Sequence, residues 1–199
     1  DLANQACKIE IELNKSPIGV QDQFASSYGG FNFIEFKDTN VSVRKLPLTI
    51  SDINYLNNRL VLFNTNISRQ TNTILSNHLN NILTNKNLEY LDQLYEETLI
   101  LKKHLINKNF DYIPKSLNKS WELKRKFNKK TNNIVIERLI NKGINCGASG
   151  AKLWGAGKGG FILFYVDNNK KNKFINLMGP QNFVNYKFDM FGTTTLKQL

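Results

Sequence analysis

Between two runs that read as β-strands, Ala148 to Trp154 and Gly160 to Val166, the chain places Gly155, Gly157, Gly159 and Gly160. The second run, Gly-Phe-Ile-Leu-Phe-Tyr-Val, reads as a strongly apolar strand. Two strands joined through so much glycine read as a hairpin. Glycine tolerates positive φ and lets backbone amides come close to an anion, as in a nest for phosphate oxygens. A glycine-rich hairpin with no ligand fits the same residues. Because a strand and not an amphipathic helix follows Gly160, the segment differs from the dinucleotide fingerprint.

Elsewhere, periodicity gives a mixed pattern. Leu2, Ala6, Ile9 and Leu13 recur at helical spacing in a first helix over 1–14, ended by Asn14 and Pro17. The chain thus starts inside a helix without Met, and a preceding segment is expected. A second helix is predicted from about Val20 to Tyr28, closed by Gly29-Gly30. Phe31 to Phe36 and Val41 to Leu46 alternate apolar and polar residues, as strands joined by a turn at 38–40 do. Pro47 to Asn57 reads as a link holding a domain boundary. Arg59 to Asn64 suits a buried strand.

A helical region over 69–143 is expected in about four pieces, broken near 84–87, 107–109 and 129–133, with Asp111 and Thr131 as N-caps and Gly143 as the last stop. After the glycine hairpin, a helix over 168–178 and a strand from Phe183 to Phe188 complete an α+β order.

Hydrophobic residues make up 41% and charged residues 22%, enough for a packed core. The formal charge of +11 favours anionic partners, whether nucleic acid, anionic lipid or phosphorylated small molecules. Its clusters, Lys124–Lys126 and Lys129-Lys130, are short, so most of the charge reads as solvated surface. A basic nucleic-acid-binding module is kept as a rival reading, but nucleic acid is not the expected partner. Cys7 and Cys146 are far apart and make neither a disulfide framework nor a zinc site, which points to a reducing cytoplasm. His78 and His104 have no metal-ligand spacing. No apolar run approaches the roughly 20 residues that span a bilayer, and no membrane partner is expected.

The segment Ile18-Gly-Val-Gln-Asp-Gln-Phe-Ala-Ser-Ser-Tyr-Gly-Gly30 sets Asp22 near a helix start, where the positive end of the helix favours an ionised carboxylate. Asp22 reads either as a cap or as a group that orients or deprotonates a hydroxyl during phosphoryl transfer.

In this order and separation, Gly19-Val-Gln-Asp-Gln23 and Gly155-Ala-Gly-Lys-Gly-Gly160 resemble motifs of the GHMP kinases, the superfamily of galactokinase, homoserine kinase and mevalonate kinase. The resemblance extends over nearly the whole chain. Phe63-Asn-Thr-Asn-Ile-Ser-Arg69, Trp121-Glu-Leu-Lys-Arg125 and Gly150-Ala-Lys-Leu are most similar to the branch of heptose 7-phosphate kinases and fucokinases.

The resemblance implies an α+β kinase fold, with residues 1–50 the end of an N-terminal domain and 51–199 a C-terminal domain with a ferredoxin-like sheet. It also implies an enzyme that transfers phosphate from ATP, with Mg²⁺, to the anomeric hydroxyl of a sugar phosphate. Heptose 7-phosphate, giving the 1,7-bisphosphate, is the first choice; a fucokinase- or galactokinase-like acceptor is the alternative. Asp22 takes the catalytic role, Gly155, Ala156, Gly157, Lys158, Gly159 and Gly160 lie at the ATP phosphates, and Glu10 holds Mg²⁺, with Glu12 its rival. Gln23, Arg69, Lys124, Arg125 and Lys152 are substrate-binding candidates, while Trp121 reads as core.

The superfamily's Pro-x-x-x-Gly-Leu-Gly-Ser-Ser phosphate motif is not among these residues. The resemblance therefore implies that about the first third of the enzyme lies outside them, and that they do not turn over alone.

Overall fold

The computed structural model describes residues 2–16, 18–37, 40–67, 76, 79–131, 133–155 and 159–194. They form two compact units, Asp1–Leu48 with Lys187–Leu199, and Thr49–Tyr186.

In the first unit, helix α1 (Leu2–Cys7) runs directly into a π-helix, Lys8–Leu13, whose wider turn is closed by the Asn14 amide on the Ile9 carbonyl at 2.9 Å. Helix α2 (Gln21–Tyr28) packs on α1 through buried Ala3 and Phe24. Strands β1 (Asn32–Lys37) and β2 (Asn40–Lys45) pair as an antiparallel hairpin, and Phe36 meets Phe24 edge-on at 5.8 Å. The last described segment returns to this unit, with Phe188 against Phe31 at 4.6 Å.

The second unit is built on strands β3 (Leu60–Asn64), β4 (Ala148–Leu153), β5 (Phe161–Val166) and β6 (Phe183–Val184), in the antiparallel order β4-β5-β3-β6. With helices between β3 and β4 and between β5 and β6, this is the ferredoxin-like order, two hairpin strands beside the first and the last at the far edge. One sheet face carries Val61, Phe63, Ala151, Leu153, Ile162 and Phe164. Ile136 and Ile140 of α6 (Ile134–Asn145) and Phe174 and Met178 of α7 (Lys171–Met178) cover it. Each of the larger buried side chains, from Val to Phe, contributes on the order of 1.5–3 kcal/mol. Helix α5 (Ile113–Phe127) lies along β4 with Trp121 in this core, and α4 (Leu88–Ile106) packs on α5.

Several local expectations are revised. Part of the expected link over 47–57 is helix α3 (Ile50–Arg59), started by a capping box between Thr49 and Asp52 and held by buried Ile53 and Leu56. Asn133, not Thr131, caps α6, its side chain accepting from the Val135 amide. Thr131 is instead buried and donates to the Asn128 carbonyl. Asp111 lies in a 3-10 turn, Phe110–Tyr112. Gly143 is no stop but sits within α6, where it lets the helix approach Phe164. The last strand is only Phe183–Val184; Tyr186 turns its hydroxyl onto the Leu60 carbonyl at 3.2 Å.

Candidate active site

The candidate residues fall in both units. In the first unit, Val20 occupies the N-cap of α2 without a side-chain hydrogen bond, and Asp22 sits exposed in the first turn. Asp22 is therefore not the cap. Its carboxylate lies exposed in the first turn, at the positive end of α2. Next to it in sequence, Gln23 is buried and its Nε2 donates to Glu10 Oε2 at 2.9 Å. The π-helix carries Glu10, and the second carboxylate, Glu12, is exposed. The structure thus joins Glu10 to Gln23 directly. Nothing in the sequence beyond the Gly-Val-Gln-Asp-Gln run signals that pairing.

In the second unit, the β4–β5 ladder continues to Trp154, whose amide donates to the Phe161 carbonyl at 2.8 Å. Gly155 and Gly160 take positive φ of 79° and 95°. A Cβ on Gly159 would lie 2.4 Å from the Ile67 carbonyl oxygen. Thr65 fastens this end of the turn, its amide and Oγ1 both donating to the Gly160 carbonyl at 2.9 and 2.8 Å. Lys124 of α5 donates to the Gly155 carbonyl at the other end. The two described ends of the glycine segment are therefore held, Gly160 by β3's exit and Gly155 by α5, a role for Thr65 that the sequence did not announce. Ala156, Gly157 and Lys158 lie outside the described residues, as do Arg69 and His78.

Arg125 donates to Glu137 at 2.8 Å and lies 5.7 Å from the Trp121 ring centre. Its guanidinium serves the α5–α6 junction. Lys152 pairs in register with Leu163, and burial pulls its ammonium below the usual lysine range. The β4 edge is finished by Asn118, which accepts from the Ala151 amide at 2.9 Å and donates to the Ser149 carbonyl at 3.2 Å. Among the described residues, no group of three or more His, Cys, Asp or Glu side chains is placed to hold a metal. No helix among them is long and apolar enough to cross a membrane.

No protein-family model matches the chain. The D-glycero-alpha-D-manno-heptose 7-phosphate kinase of Campylobacter jejuni is 32% identical over 180 residues, covering 87% of this chain and 53% of the relative. A solved Campylobacter jejuni structure superposes with a TM-score of 0.70 at 32% identity, over 96% of this chain and 55% of the other. The galactokinase of Lactococcus lactis, solved with galactose, gives a TM-score of 0.65 at 19% identity, over 96% of this chain and 59% of the other.

The chain has the GHMP kinase fold. It spans about half the length of the relatives it matches.

Mg²⁺ is usually held by one or two carboxylates together with phosphates and water. Glu10, half-buried and anchored by Gln23, fits as one such oxygen ligand. The described ends of the glycine segment, Gly155 and Gly160, adopt φ values that side chains disfavour, the backbone geometry an anion nest uses, whereas Gly159 is packed against the Ile67 carbonyl, which also accepts from the Gly160 amide at 3.3 Å.

Proposed function

We propose that these residues form the Asp22 and glycine-turn parts of an ATP-dependent sugar-phosphate kinase that phosphorylates the anomeric hydroxyl of D-glycero-D-manno-heptose 7-phosphate, giving the 1,7-bisphosphate. The observation that carries the reading is the 32% identity over 180 residues with a heptose 7-phosphate kinase. An exposed Asp22 that the helix does not use as its cap supports it. On this reading, residues 1–50 are the end of the kinase's N-terminal domain and 51–199 its C-terminal domain.

When bound, ATP supplies the γ-phosphoryl group and Mg²⁺ neutralises part of its charge. Asp22 accepts a hydrogen bond from the anomeric hydroxyl, fixes the direction of its lone pair and takes its proton as the new oxygen–phosphorus bond forms and the bond from the γ-phosphorus to the ADP oxygen breaks. Glu10 is the carboxylate for the metal. Backbone amides of the glycine turn bind phosphate oxygens, and Lys152 adds a cation on the strand entering that turn. Gln23, which the sequence placed among the substrate contacts, acts on this reading through Glu10. Lys124 and Arg125 support the turn and the α5–α6 junction.

The test is made on a protein in which these 199 residues follow the N-terminal part of the Campylobacter jejuni relative. ATP-dependent transfer is assayed to heptose 7-phosphate, fucose and galactose. Formation of the heptose bisphosphate, reduced by roughly a thousandfold in Asp22→Asn, is the expected result. Preference for fucose or galactose selects the alternative acceptor. A folded protein with no transfer to any of the three overturns the kinase reading, and tight, salt-sensitive oligonucleotide binding then selects the rival.

A further inference from the structure

Helix α2 is short, and an isolated helix of this length is marginal in water, so its position is set by what it touches. Phe24 and Gln23 bury one side of it. At its C-terminal end, the segment 187–194 crosses directly over the chain. Gly30 donates to the Asp189 carbonyl at 2.7 Å, and Thr193 donates to the Ser27 carbonyl at 3.2 Å. Ser27 is among the last helix carbonyls, which have no partner within the helix.

The crossing is backbone on backbone. Gly29 and Gly192 both take positive φ, 60° and 69°. A Cβ on Gly29 would lie 2.1 Å from the Gly192 nitrogen, and one on Gly192 would lie 2.4 Å from the Ser27 carbonyl oxygen. Neither neighbour is a side chain that can rotate away. Lys45 adds a bond to the Met190 carbonyl at 3.4 Å, while Phe191, 82% exposed, points out of the crossing.

We infer that the Gly29–Gly192 crossing is a positioning device for the helix that presents Asp22, so that the segment 187–194 sets where the acceptor hydroxyl is held. The inference rests on the proposed role of Asp22. With a rise of about 1.5 Å per residue, Asp22 is only about 7.5 Å along the axis from Ser27, and a displaced helix end moves the carboxylate with it. A misplacement of about 1 Å in a reacting geometry can cost on the order of a hundredfold in rate.

The experiment uses the joined kinase described above, comparing Gly192→Ala, Thr193→Pro, which removes the amide donor without adding a Cβ at residue 192, and Phe191→Ser as the neutral control. Hydrogen exchange over residues 21–30 and KM for each substrate are measured, since KM does not depend on the fraction of active protein. Both tail variants are expected to exchange faster over 21–30 and to raise KM for the sugar phosphate about tenfold, with KM for ATP within about twofold of the parent. Phe191→Ser should match the parent.

Parent-like exchange and KM in both tail variants overturn the inference, as does a rise in exchange spread evenly over the protein. If Gly192→Ala does not fold, Thr193→Pro decides alone. Retained transfer by Asp22→Asn overturns the assignment of Asp22 and the positioning claim with it, whereas a parent-like result confined to the tail variants overturns only the crossing.

Discussion

Gln23 Nε2 donates to Glu10 Oε2 at 2.9 Å, tying the π-helix to α2 across thirteen residues. Gln23 is buried, and its Oε1 has no partner among the described residues, so this one bond is what the amide supplies. Gln23→Glu would replace the donor with a second carboxylate against Glu10. Two carboxylates at such a distance cannot both ionise cheaply, and one pKa rises. Stability at pH 7 should fall by roughly 2–3 kcal/mol. The loss should shrink as pH drops towards 5 and one carboxyl binds a proton. Urea unfolding at pH 7 and pH 5 checks both the size and the direction. Equal losses at the two pH values would contradict the pairing.

Gly143 tests how closely α6 lies on the sheet. A Cβ there would fall 2.2 Å from Cε1 of Phe164, whose ring is fully buried between the sheet and Phe174. In an exposed helix Gly→Ala is favourable by up to about 1 kcal/mol. Here overpacking wins, and Gly143→Ala should destabilise by about 1–3 kcal/mol, read as a lowered midpoint in urea. A gain in stability would mean that α6 stands off the sheet.

That glycine also marks where sequence reasoning ran out. A Gly near the end of an apolar helical pattern signals a stop, and only the partner ring shows that this one marks close packing. Strands β3 and β5 were legible because Leu60–Asn64 and Phe161–Val166 are short apolar runs buried on both faces. The hairpin over 32–45 was legible from its alternation. Helix α3 was missed although Thr49-x-x-Asp52 is a capping-box signature, because its apolar positions are few. The π-helix left no mark, since a change from an i−4 to an i−5 bond alters no composition. At the site, Asp22 and the glycines stood out through residue type and order. The Gln23–Glu10 bond, the Thr65 fastening and the Gly29–Gly192 crossing depend on contacts between distant segments, for which one sequence carries no period.

Asp52 gives a pH dependence of known sign. Hydrogen bonds from the Thr49 hydroxyl and amide, and the Lys108 ammonium at 3.0 Å, hold its carboxyl down to about 2. The folded value lies below the ordinary aspartate value, so the stabilisation is fully present above about pH 4. It is lost as pH falls from about 4 to about 2, where the carboxylate protonates in the folded state. Thr49→Ala should raise the Asp52 pKa and lower the urea midpoint at pH 7, with the difference from the parent narrowing below pH 4. Titration of Asp52 by NMR in both proteins checks the shift, and an unmoved pKa in Thr49→Ala would refute the cap.

Lys152 sets stability against binding. Its ammonium is held below the usual lysine range by burial alone, so the folded state pays for keeping it charged. At neutral pH both states are protonated and that cost is present in full. As pH rises towards the ordinary lysine value of about 10.4, the folded group loses its proton first, the unfolded state binds more protons, and stability climbs. Lys152→Met keeps the stem and removes the charge. It should therefore raise the urea midpoint at pH 7 and abolish the climb as pH rises towards the ordinary lysine value. If Lys152 meets a phosphate as proposed, the same variant should bind ATP or the sugar phosphate about tenfold more weakly in the joined kinase, the loss of one charge-assisted bond. A stabilised variant with unchanged affinity for both ligands would remove Lys152 from the phosphate site while leaving the reading of its burial intact. A destabilised variant would show instead that the ammonium has a partner in the fold.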